Sequence, residues 1–202
     1  MIFRTPFILP LIYPTLVWRI PTEANEIYLT FDDGPVPGPT EFVLDTLKQN
    51  DCKATFFSIG DNVKKHPAVY QRILMEGHAM GNHTFNHLKG WSHSDEDYIS
   101  NIKECDKALG SKSQLFRPPY GRITKSQIRK LTDYKIVMWD VLTSDYIAKL
   151  SPERCLTGSI QATRPGSIVV FHDSVKAERN MTYALPRFMD HFLNQGFIFK
   201  SL

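Results

Sequence analysis

The stretch Ile27-Tyr28-Leu29-Thr30-Phe31-Asp32-Asp33-Gly34-Pro35 decides how this chain is read. A run of strand-forming residues ends in two adjacent carboxylates and a turn. A helix-like segment follows, Pro39–Asn50, with proline near its first turn and Phe42, Val43 and Leu47 on one face. The unit then recurs. Strand-like runs at Lys53–Phe57, His78–Gly81, Leu115–Arg117, Ile136–Val141, Ser167–His172 and Phe197–Lys200 alternate with helical patterns. These lie at Pro67–Glu76 (Val69, Ile73 and Leu74 inward), Ser94–Leu109 and Thr124–Asp133, then after the Ser151-Pro152 start and at Ala184–Gln195. Capping serines, early prolines and closing glycines mark their ends. Seven strands alternating with six helices predict an α/β fold on a mainly parallel sheet. Pattern alone does not say whether the sheet is open or closes into a barrel.

The polar residues that interrupt these runs share a position. Asp32 and Asp33 follow the first strand, His83 and His87 the third, and Arg117 and Tyr120 end and follow the fourth. Trp139 and Asp140 lie in the last part of the fifth, and His172 and Asp173 end the sixth. In parallel α/β folds all strand C-termini face one side, where active sites are built. Asp-Gly is a common turn dipeptide, but two adjacent carboxylates after an apolar strand repel each other and lose hydration, which a metal or an arginine offsets. His83 and His87 are four apart, so on a helical turn both imidazoles point the same way, a spacing that suits two ligands of one zinc ion. Arg117, at a strand end before two prolines, is placed to grip a carboxylate.

The 202 residues are 42% hydrophobic and 22% charged, which supports one domain with a sizeable core and excludes disordered, fibrous and disulfide-stapled classes. A net charge of +3 with no basic run gives no footprint for nucleic acid. Cys52, Cys105 and Cys155 are far apart and odd in number, and are expected as buried free thiols. Phe7–Trp18 is apolar but is too short to span a membrane and contains Pro10 and Pro14. Arg4 before it and Thr22-Glu23-Ala24 after it are the parts of a signal peptide, but Arg19 and the prolines spoil the segment. Residues 1–25 are therefore expected to form an apolar arm packed on the domain, with Met1 retained.

Thr30-Phe31-Asp32-Asp33-Gly34-Pro35, His83-Thr84-Phe85-Asn86-His87, Arg117-Pro118-Pro119-Tyr120 and Val170-Phe171-His172, in that order, resemble the motifs of the polysaccharide deacetylases, carbohydrate esterase family four or the NodB-homology domain. The resemblance runs from about Glu26 to Leu202 and implies a catalytic domain at residues 26–202, folded as a distorted (β/α)7 barrel. It implies one divalent metal ion, usually zinc, on Asp33, His83 and His87, and release of N-acetyl groups from N-acetylhexosamines of a peptidoglycan- or chitin-like glycan. In that scheme Asp32 is the base, Arg117 orients it, the Tyr120 N–H helps bind the oxyanion, and His172 is the acid. O-acetyl esters of xylan-like glycans are the alternative substrates. A non-catalytic glycan-binding protein is the reading from another class. A monomer without a membrane span is expected. The N-terminus points to the cytoplasm and the family to the cell envelope.

Two departures from the family pattern stand out. Leu142 occupies a position where the family has an acid that tunes the catalytic histidine, and Tyr146 replaces a tryptophan. Val170 replaces a leucine in the wall of the acetyl pocket. The partner of His172 is therefore expected to be Asp145 or Asp140, with Asp145 ahead.

Overall fold

The computed structural model describes residues 2–202; Met1, expected above to be retained, lies outside them. An arm carrying the single-turn helix α1 (Ile8–Ile12) leads into β1 (Glu26–Asp32), α2 (Pro39–Gln49), β2 (Thr55–Ser58), α3 (Gly60–Lys65), α4 (Pro67–Met75) and β3 (Ala79–Asn82). Then come α5 (Asp95–Leu109), β4 (Leu115–Phe116), α6 (Lys125–Lys130), β5 (Lys135–Ile136) and β6 (Val141–Leu142). The chain ends with α7 (Pro152–Ala162), β7 (Ile168–His172), α8 (Glu178–Leu193) and β8 (Ile198–Lys200). All strand pairs are parallel, in the order β5-β4-β3-β2-β1-β7-β6, and β8 pairs with the first half of β1.

β1 shows why the sheet forms here. It is buried on both faces, as a central parallel strand must be. Ile27, Leu29 and Phe31 point outward into the core shared with Val43, Leu44 and Leu47 of α2 and Phe188 of α8. Tyr28 points inward with Phe57, Val137 and Ile168. Thr30 and Asp32 share that inner face and meet Arg117 there. The two-residue alternation thus sends apolar side chains to the helices and a polar ladder to the barrel interior.

The expected fifth strand, Ile136–Val141, is a break between two strands. Its start pairs with β4, where the Val137 N–H donates to Phe116 O; its end pairs with β7, where the Asp140 N–H donates to Ile168 O. One segment thereby crosses from one edge of the curled sheet to the other. Between the two pairings, the carbonyls of Val137 and Met138 accept from the Arg117 guanidinium at 3.2 and 2.9 Å. Trp139 and Asp140 therefore lie in this break, not in the last part of a strand.

The arm fills the seam. Val17 bridges Val137, Arg4 bridges Val141, and Arg19 bridges Ser167. Phe3, Leu16 and Trp18 are buried, each contributing about 1.5–3 kcal/mol. Arg19 donates from Nε to Pro165 O at 2.9 Å. Phe7 and Leu11 on the far side stay 82% and 68% exposed, so the arm is only half packed. Among the described residues no helix is long and apolar enough to cross a membrane.

Smaller expectations need correcting. α3 has no sequence prediction, because its six residues are too short for a periodic signal. α8 begins six residues before Ala184, since its first turn is polar. On α4 the inward residues are Val69, Tyr70 and Ile73, while Leu74 is 40% exposed. The three cysteines are free and buried.

Candidate active site

The C-terminal ends of the strands open into a cleft of about 820 Å³. Asp32, Asp33, His83, His87, Tyr120, Trp139, Leu142, Tyr146, Val170 and His172 line it. Asp32 and His172 are register partners on the adjacent strands β1 and β7, so parallel pairing alone brings them side by side.

Asp32 is buried, and its Oδ1 accepts from Arg117 Nη1 at 2.7 Å. Arg117 is fully buried. It also donates to Thr30 Oγ1 at 2.7 Å, and its guanidinium lies 4.1 Å from the centre of the Phe57 ring. With the carbonyls of Val137 and Met138, this fixes the guanidinium on four acceptors. A buried ion pair is tolerable only when its remaining donors are satisfied in this way.

Asp33 stands beyond the strand end with φ of 83°, which turns its carboxylate away from Asp32 and toward the histidines. Asn62, on the unpredicted α3, clamps the Asp33 carbonyl at 2.7 Å. Asp33 Oδ1 lies 3.1 Å from His87 Nε2 and 3.6 Å from His83 Nε2. This oxygen is buried without a well-aligned donor, and the three ligand atoms lie within 4.8 Å of one another. Burial opposes ionisation of Asp33, yet close His87, with the fields of His172 and His83, holds its carboxyl well below the usual range.

The two histidines converge for a reason other than the one read from the sequence. Residues 83–87 are not helical; Thr84 and His87 take left-handed backbone conformations, φ 65° and 56°. Asn82 Oδ1 accepts from the Thr84 N–H and Thr84 Oγ1 from the Leu88 N–H, which holds this turn. His83 Nδ1 sits 2.8 Å from Arg117 O, a contact in which the ring must donate. That tautomer leaves the Nε2 lone pair facing Asp33, as a metal-ligating histidine requires. Burial pushes the His83 imidazole down to about 4, so it is neutral and able to ligate. The residues present therefore fit a divalent cation: one carboxylate and two imidazoles on one side, and the open cleft on the other.

His172 is held at two points. Asp145 Oδ1 lies 2.7 Å from its Nδ1, and Asp145 Oδ2 accepts its backbone N–H at 2.7 Å. Burial by itself would lower the imidazole, but the Asp145 charge and hydrogen bond, with Asp33 and Asp32 farther off, raise it to about 9. Asp140, the other expected partner, is engaged elsewhere. It binds Arg164 at 3.1 and 3.2 Å and the Ser167 hydroxyl at 2.7 Å, anchoring the strand break.

Tyr120 sits in the turn Pro119–Gly121 with φ of 59° and is 61% exposed. Its ring packs 4.5 Å from that of His87 at the cleft mouth.

Asp173 is a buried residue that the sequence placed at the strand end but gave no part. Its Oδ1 accepts the Gly34 N–H at 3.0 Å, and Thr40 Oγ1 lies 2.6 Å from Oδ2. A Cβ on Gly34 would stand 1.9 Å from that carboxylate, so only glycine fits. Burial lifts the Asp173 carboxyl to about 8 against the lowering effect of these hydrogen bonds. The contact ties the turn after Asp32-Asp33 to the end of β7.

Comparison with known proteins agrees with this geometry. A sequence model of the polysaccharide deacetylase family matches residues 19–139. A peptidoglycan-N-acetylglucosamine deacetylase of Bacillus cereus is 34% identical over 194 residues, covering 93% of this chain and 91% of its own. A chitooligosaccharide deacetylase of Azorhizobium caulinodans is 33% identical and covers 77% of each chain. The crystal structure of the Bc1960 peptidoglycan N-acetylglucosamine deacetylase superposes with a TM-score of 0.89 at 30% identity, covering 98% of this chain and 95% of the other. The match thus extends beyond the quoted motifs to the arm and the C-terminal strand, and this chain belongs to the polysaccharide deacetylases.

Proposed function

We propose that this chain is a divalent-metal-dependent de-N-acetylase acting on N-acetylhexosamine residues of a peptidoglycan- or chitin-type glycan. The observation that carries the reading is the pairing of Asp32 with Arg117 and of His172 with Asp145 on neighbouring strands, facing the Asp33, His83 and His87 cluster. Two relatives named for glycan N-deacetylation support the substrate class. Zinc is the ion favoured by two imidazoles and a carboxylate, one ion per chain.

Asp33, His83 and His87 would hold the cation, which when bound would supply Lewis acidity toward the amide carbonyl and toward water. Asp32, oriented by Arg117, accepts the proton of the attacking water. Tyr120, through its backbone N–H, donates to the developing oxyanion. His172, protonated through its contact with Asp145, gives its proton to the departing amine. The C–N bond then breaks to leave acetate and a free amino sugar. We assign the chain to work as a monomer at the cell envelope, where such glycans lie.

The test is acetate release by metal-loaded protein from N-acetylated chitooligosaccharides and peptidoglycan, with O-acetylated xylan in parallel. Release from the N-acetylated substrates supports the reading. Release from xylan alone makes the chain an esterase, and release from none makes it a glycan-binding protein.

A further inference from the structure

Beneath the ionisable layer of Asp32 and His172, the barrel lining becomes aliphatic on one side. Val170 lies two residues before His172 on β7 and is the register partner of Thr30 on β1 and of Leu142 on β6. Two residues of strand place it about 6.6 Å below His172. On the β1 side, Thr30 is occupied by Arg117. On the β6 side nothing polar replaces it, and Val170, Leu142 and Trp139 line the cleft beside Asp32 and His172. A carbonyl set between Asp32 and His172 would have a polar wall on one flank and an apolar floor on the other.

Leu142 stands between this floor and a second space. Leu142 and Trp139 also line a second cavity of about 420 Å³, built by the arm. Its other walls include Leu9, Leu16, Trp18, Ile123 and Met138. The Leu142 N–H donates to Phe3 O at 2.9 Å, so the arm fixes the residue at the junction. An N-acylated sugar with its carbonyl carbon set between Asp32 and His172 would lay the alkyl end of its acyl group over Val170 and Leu142. That end is the one apolar part of an N-acylated sugar next to the reacting carbon.

We propose that this chain hydrolyses N-acyl groups longer than acetyl, with propionyl and butyryl chains running over Val170 and Leu142 toward the arm-lined cavity. The proposal rests on the deacetylase reading above. The chemistry is unchanged: water adds to the acyl carbon, the C–N bond breaks, the amine leaves with the proton from His172, and a short-chain carboxylate is released. Each buried methylene strengthens the bound state about fourfold.

The test compares kcat/KM of the zinc-loaded full chain on chitooligosaccharides that carry N-acetyl, N-propionyl or N-butyryl groups, read as free amine formed. The expected butyryl value equals or exceeds the acetyl value. Val170→Leu, which raises the floor, is expected to lower the butyryl-to-acetyl ratio at least tenfold. A wild-type butyryl value below the acetyl value, or a ratio that Val170→Leu leaves unmoved, overturns the proposal while the deacetylase reading stands. No turnover of any of the three substrates overturns both.

Discussion

Replacing Asp145 by asparagine changes one charge while keeping the shape of the clamp on His172. Asp145 is buried, and its two oxygens bind the Nδ1 and the backbone N–H of His172, both at 2.7 Å. The charge and hydrogen bond of Asp145 are the main influences that raise the imidazole from 6.5 to about 9 against its burial. Removing the charge should move the basic limb of the pH–rate profile down by about one unit, which is about 1.4 kcal/mol. At pH 9 the protonated fraction then falls from about half to about a tenth, a fivefold loss of kcat, with little change at pH 6. The same pair links pH to stability. The folded-state value is raised, so the stabilisation is full below about pH 6.5 and is lost as pH rises through about 9. Asp145→Asn should therefore lose more stability at pH 6 than at pH 9.5 in urea unfolding. A basic limb that does not move in Asp145→Asn would refute the role given to this contact.

His83→Ala together with His87→Ala should abolish metal binding measured by equilibrium dialysis, whereas Asp32→Asn should keep the metal and lose about 10²–10⁴-fold in kcat. Arg117→Met strands the buried Asp32 carboxylate and the carbonyls of Val137 and Met138; a cost of about 3–5 kcal/mol should lower Tm by about 6–20 °C in calorimetry. Asp173 is an acid raised to about 8 from 3.8, so wild-type stability should decline as pH climbs between those values. Asp173→Asn, which keeps the acceptor for the Gly34 N–H, should flatten that decline in urea titrations from pH 4 to 8 and retain activity, while Asp173→Ala should lose both.

The first strand was legible because its composition obeys a rule with one cause. Ile27 to Phe31 is a run of strand-forming residues whose Ile27, Leu29 and Phe31 face the core, and its carboxylates stand at the end where parallel strands collect their chemistry. The pairing of Asp32 with His172 then follows from strand order, which the alternation of elements constrains. The break at Val137–Asp140 was not legible, since its cause is a guanidinium from another strand that competes for the ladder carbonyls. No local pattern encodes that competition. The turn at His83–His87 misled for a related reason. The four-residue spacing is true of a helix, but here left-handed residues and the Asn82 and Thr84 side chains bring the rings together. Asp145 could be separated from Asp140 only by knowing that Arg164 and Ser167 already hold the latter. The arm was read as packing, but its place in the seam depends on single bridges at Arg4, Val17 and Arg19, too short to leave a periodic signature.

The central claim is that Asp33, His83 and His87 hold one cation on which glycan N-deacetylation depends. The direct measurement is acetate release from N-acetylated chitooligosaccharide by chelator-treated protein titrated with zinc, with bound metal quantified in the same samples. The account predicts no release from metal-free protein and a linear rise that saturates at one zinc per chain. Full activity in the metal-free protein, or a rise that needs zinc but persists in the His83→Ala, His87→Ala variant, would contradict it.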